Sequence, residues 1–94
     1  MGLRIIVNII DYNVRLVMEK KFQWVNEEYV IDFKVPQIVT NTMLEAEEAD
    51  LNDELGEYVG IAYALDVLGK NCYSGGEITK KQWDIITLRY PCDV

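Results

Sequence analysis

The chain has no histidine, only two cysteines and two prolines, and no lysine or arginine between residues 35 and 69. Each shortage excludes something. Without histidine there is no imidazole to serve as general base near neutral pH, to activate a thiol or to ligate a metal. Two thiolates, Cys72 and Cys92, cannot complete a tetrahedral zinc site by themselves. They read as buried or idle thiols, and a disulfide between them would require an oxidising compartment. Long apolar runs are also missing. "MGLRIIVNIID" is interrupted at Asn8 and stopped at Asp11, too short for a signal-peptide core and far too short to cross a bilayer. The expected setting is therefore the cytoplasm, away from membranes. "GEYVG" and "SGGE" lack the spacing of phosphate-binding or nucleotide-binding loops. "DLNDELG" places Asp50, Asn52 and Glu54 at alternating positions, but Leu55 and Ile61 stand where a calcium loop needs glycine and glutamate. No cofactor, no metal and no catalytic activity are expected.

What remains is apolar and acidic. Half of the 94 residues are apolar, which sets the chain apart from disordered segments despite a net charge of −7. Residues 1–94 should form a single domain. The charge is unevenly placed: residues 1–34 balance, residues 35–69 hold eight acids and no base, and residues 70–94 hold three acids and four bases. Such a chain is repelled by phosphate backbones and membrane surfaces and attracted to basic proteins. Direct nucleic-acid binding is not expected.

The hydrophobic pattern suggests an α+β fold. Alternation in "LRIIVNI", "NVRLVME", "KFQWV" and "YVIDFKV" predicts an N-terminal antiparallel meander of three to four strands within residues 1–35, the last two joined as a hairpin through "NEE" and ended by Pro36. A helix then spans residues 42–69, opened by a Thr42/Glu45 capping box and closed by Gly69. Leu44, Leu51, Leu55, Tyr58, Val59, Ala62 and Leu65 make its apolar stripe, which Glu48 interrupts. A kink, or a short helix followed by a longer one, with Asp50 as a second N-cap competes with one straight helix. "NCYSGGE" reads as a loop. Thr79 and Gln82 form another capping box, with Ile78 and Trp83 as its hydrophobic staple. A short helix thus begins near residue 80, although "DIITLRY" also suits a closing strand over residues 79–90.

"LEAEEADLNDELGEY", residues 44–58, places seven carboxylates in fifteen positions. On a helix, Glu47, Asp50, Glu54 and Glu57 fall three, four and three apart, within about a quarter-turn of one another, with Asp53 beside them. Carboxylates along such a row stand about 5 Å apart on the axis, a coarser line of charge in the range of a DNA strand, whose phosphates recur about every 3.4 Å. Packing like charges this closely costs a few tenths of a kcal/mol for each i,i+4 pair. Tyr58 falls either at the edge of this row or in the core beside Leu51 and Leu55.

A compact acidic chain with this row from Glu45 to Glu57, an aromatic core and no catalytic motif resembles the DNA-mimic proteins that phages encode to occupy host DNA-binding proteins. The resemblance implies a non-enzymatic inhibitor whose acidic helix enters the basic groove of a histone-like nucleoid protein, repressor or nuclease and blocks DNA. Glu47, Asp50, Asp53, Glu54 and Glu57 would carry the contact. Against a two-fold symmetric target a homodimer would suit, built on Gly56, Gly60 and Ala64 or on a sheet edge. An immunity or antitoxin protein uses the same electrostatics against one basic toxin. A structural subunit with a merely solvated acidic face is the bland alternative.

Overall fold

The computed structural model describes residues 22–94. They form an irregular arm, residues 22–35, followed by three helices: α1 (Gln37–Leu51), α2 (Leu55–Ser74) and α3 (Lys80–Arg89). Among the described residues there is no strand and no sheet, which overturns the α+β expectation. The first two expected strands, in residues 3–9 and 13–19, lie outside the described residues. The other two fall in the arm. There the in-and-out alternation holds: Phe22, Trp24, Tyr29, Ile31, Phe33 and Val35 are half-buried while Gln23, Val30, Asp32 and Lys34 are exposed. What differs is the backbone partner. The amides of Gln23, Trp24 and Val25 donate to the Asp50 carboxylate, and that of Asn26 donates to the Arg89 carbonyl. Period-two alternation reports a segment with one covered face, and helices can cover that face as well as a sheet can.

Residues 42–69 take the broken arrangement in place of one straight helix: a shorter α1 and a longer α2 are joined as a hairpin, with Asp50 in the last turn of α1 and not at the start of α2. α1 starts directly after Pro36, whose carbonyl accepts from Val39 and Thr40. Thr42 is inside α1, where its hydroxyl donates to the Ile38 carbonyl at 2.7 Å, so it caps nothing. The break lies at residues 52–54. Asp53 takes a left-handed φ of 58°, the Glu54 amide bonds back to the Ala49 carbonyl at 2.9 Å, and the Asp53 amide bonds to that of Asp50 at 3.0 Å. This is a Schellman closure with aspartate where glycine is usual. The end of α2 repeats it with glycine: Gly76 has φ 79°, Glu77 donates to Cys72 and Gly76 to Tyr73. Gly69 is therefore interior to α2, and "NCYS" is its last turn rather than loop. The Thr79/Gln82 capping box is present, and residues 80–89 are helix.

The hairpin break resets the phase of the apolar stripe. α1 buries Val39, Met43, Ala46 and Ala49, while Leu44 and Leu51 are exposed; α2 buries Tyr58, Ala62, Leu65, Gly69 and Cys72. Val25 from the arm, Ile78, Ile86 and Tyr90 join them in the core of the described residues. α2 lies at the centre, packed against α1 on one side and α3 on the other. Alanines on α1 and Gly69 on α2 permit these close approaches. A Cβ added at Gly69 would lie 2.6 Å from Cδ1 of Trp83. No helix among the described residues is long and apolar enough to cross a membrane.

Candidate functional site

The hairpin turn gathers acids from two helices. Glu45 and Glu48 on α1, and Glu54 and Glu57 at the start of α2, line a groove of about 560 Å³ with Asn52 and Ile61. All four are exposed, as is Asp53 in the turn. Exposed Leu51 and Leu55 lie in the same turn region. Glu57 beside it raises the Glu54 carboxyl above the usual carboxylate range, with smaller contributions from partial desolvation and Glu48. Like charges crowded together raise one another's pKa in this way, and among the described residues no cation pairs with these four.

The structure divides the five residues read from sequence as one row. Asp53, Glu54 and Glu57 are exposed at the groove or its turn. Asp50 is only 1 % exposed. Its Oδ1 accepts from Gln23 N and its Oδ2 from Trp24 N and Val25 N, all at 2.8 Å. Three successive amides thus form a cup around one carboxylate, so its charge is internally compensated. Asp50 is no N-cap of a second helix; it belongs to the last turn of α1. Glu47 also turns inward. Its Oε2 accepts from the Tyr90 hydroxyl at 2.6 Å and lies 3.6 Å from Nη2 of Arg89, which in turn donates to the Tyr29 carbonyl. Glu45 and Glu48 take the places of these two in the exposed set. Sequence could have supplied them only with the helix phase known. Tyr58 is fully buried, its ring 5.4 Å from that of Trp24, so it belongs to the core.

Tyr90 gives a measurable consequence of this interior polarity. Burial, helped by the hydrogen bond to Glu47, pushes its hydroxyl up to about 12, and burial likewise raises Tyr58. Their ordinary value is about 10. Because the folded values are raised, the stability these groups contribute is complete below about pH 10 and is lost as pH rises through the folded value, near 12 for Tyr90. We expect alkaline unfolding to begin in that window. Tyrosinate absorbance of these two residues should appear together with loss of the helical circular dichroism; ionisation of both well before any loss of helix would contradict the burial described.

Chemically, the groove offers open carboxylates to cationic side chains. Among the described residues no three acids, histidines or cysteines are disposed to hold a metal ion. Cys72 and Cys92 are both free thiols; burial raises Cys72 above its usual range. Comparison with known proteins adds no relative: no family model matches the chain, and no curated protein or solved structure matches it.

Proposed function

We propose that this protein is a non-enzymatic acidic decoy: it binds a basic DNA-binding protein through the groove of Glu45, Glu48, Glu54 and Glu57 and thereby excludes DNA. The observation carrying this reading is the sorting of the acids. Asp50 and Glu47 are spent internally and Asp53 accepts a hydrogen bond from the Gln23 side-chain amide, yet all five of the other carboxylates in residues 44–58, Asp53 included, stay exposed, within a stretch of 35 residues that contains no base. A solvated surface gains little from concentrating charge in this way, because each close pair costs stability. A basic nucleic-acid-binding groove recovers that cost through charge pairing and fast encounter. Exposed Leu51 and Leu55 beside the acids supply apolar contact that phosphate backbones lack.

The test uses a purified dimeric histone-like protein and a labelled DNA duplex, with displacement of the duplex followed across a salt series. Wild type should displace DNA, and displacement should weaken as salt rises. E45Q/E48Q/E54Q/E57Q keeps every buried contact and should bind at least about tenfold more weakly. Complex formation should also release protons in the carboxylate range, since a bound cation reverses the effect of Glu57 on Glu54. Affinity would then rise with pH across that range. Equal displacement by wild type and variant, or none by wild type at low salt, would remove this reading.

A further inference from the structure

Among the described residues, nothing covers one face of α2 along its length. Gly56, Gly60, Tyr63, Ala64, Val67, Lys70 and Asn71 recur at helical spacing and are all exposed, with Tyr63 at 62 % and Val67 at 42 %. At Gly56 and Gly60 an added Cβ would meet no atom within 4 Å. Other exposed apolar residues, such as Leu44, Leu51 and Leu55, lie among the acids of the hairpin turn. The α2 face differs in two respects: it combines large and small side chains, and Lys70 is its only charge.

We propose that this face pairs with the same face of a second copy, with the two α2 helices antiparallel. Two features of the helix select this occupant and this orientation. The first is shape. An antiparallel pair centred between Tyr63 and Ala64 sets Tyr63 of each copy over Ala64 of the other, and Val67 over Gly60, so each bulky side chain meets a small one. The second is charge. Residues 35–69 hold eight acids and no base, whereas residues 70–94 hold four bases and three acids. Antiparallel pairing in this register sets exposed Lys70 of each copy opposite exposed Glu57 of the other, since positions 57 and 70 are related by the same centre. It also separates the two Glu57 positions by about 20 Å along the axis. A parallel pair would stack the two acidic turns against each other. The dimer stands independently of the decoy reading; if both hold, it presents two acidic grooves related by a two-fold axis.

Sedimentation of the intact protein over a dilution series tests the association. Wild type should be a dimer that dissociates on dilution, and Y63E/V67E should weaken self-association by about a hundredfold or more, since four apolar contacts are replaced per dimer. Both substituted positions are exposed, so the helical circular dichroism should be unchanged. L44E, off the face, should remain dimeric. Orientation is read by cysteine pairing in a C92S background: G60C mixed with V67C should form a mixed disulfide dimer, while neither should readily form one alone. A monomer at all concentrations overturns the proposal, and so does a dimer indifferent to Y63E/V67E. A disulfide from G60C alone overturns the antiparallel arrangement. If wild type is monomeric and Tyr63 resists modification, another part of the same chain covers the face, and the second copy is ruled out.

Discussion

Asp50→Ala is expected to lower unfolding free energy by about 3–5 kcal/mol, the range found when one member of a buried charged pair is removed. The reason is local and countable. Asp50 is almost fully buried and its carboxylate holds three successive amides at 2.8 Å. Removing it leaves three donors without acceptors, the Val25 amide buried and those of Gln23 and Trp24 part-buried; an orphaned buried donor costs about 1–3 kcal/mol and a part-buried one less, unless the arm lifts away and rehydrates. Lifting the arm in turn uncovers Val25 and Trp24 and the faces of the core they cover. A domain of this size has on the order of 5–14 kcal/mol in total, so the variant should sit near the unfolding threshold. Asp50→Asn retains the shape but replaces one acceptor with a donor facing an amide; about 1.5–3 kcal/mol should be lost. Urea unfolding followed by circular dichroism measures both. An Asp50→Ala midpoint within about 0.5 kcal/mol of wild type would show that the cup contributes nothing. Experiments on the acidic groove must accordingly leave Asp50 intact, because its substitution tests folding.

Gly69→Ala should destabilise by about 1–3 kcal/mol, against the ordinary rule that alanine improves a helix interior by about 1 kcal/mol. The added Cβ would lie 2.6 Å from Cδ1 of Trp83. That ring is poorly placed to yield. Its Nε1 donates to Oδ1 of Asp66 at 3.0 Å, it stacks on Tyr73 with centroids 5.6 Å apart, and the Lys80 ammonium lies 5.0 Å from its centroid. Moving the indole would strain or break these contacts, or spread α2 from α3. Gly60→Ala, in the same helix but open within one chain, should change stability with the opposite sign, a gain of about 0.5–1 kcal/mol. The paired measurement is thermal unfolding at low protein concentration, with tryptophan fluorescence reporting the displaced ring. If both alanines stabilise alike, the α2–α3 contact is looser than described.

Sequence conveyed some of this architecture and withheld the rest for identifiable reasons. The Thr79/Gln82 box, with Ile78 and Trp83 on the core side, was readable because capping is local chemistry: four neighbouring residues contain the whole signal. The in-and-out pattern of residues 29–35 was readable too, but its meaning was not. Alternation says that one face is covered and is silent on whether a strand or a helix covers it. The break between α1 and α2 was obscured by Asp53, an aspartate in the left-handed position where glycine would have announced a stop. The break could be suspected near Asp50 but not located; Gly69 looked like a terminus because glycine commonly follows a helix end, and the leucines looked like a core stripe because one wheel was carried straight through residues 52–54. The same error of phase placed Asp50 and Glu47 on the exposed row. Whether a carboxylate faces solvent depends on what lies against it, and the amides that claim Asp50 come from 25 to 27 residues earlier in the chain. That pairing leaves no local trace. The density of acids in residues 44–58 was fully visible, because composition needs no helix phase.

The Asp50 cup also sets an order of events. The helical pairs, α1 with α2 and α2 with α3, join neighbours across short turns, so closing them costs little chain entropy. The arm closes a loop of more than twenty residues to reach Asp50, and the Tyr29 carbonyl meets Arg89 from 60 residues away. Local contacts form early and distant ones late when their strengths are comparable. The helical hairpin should therefore be built before the arm is fastened, and the arm acts as a latch on a body already assembled. Loss of the latch would show mainly as a faster unfolding rate, with the refolding rate little changed. Asp50 thus governs how long the folded molecule lasts more than how quickly it is reached.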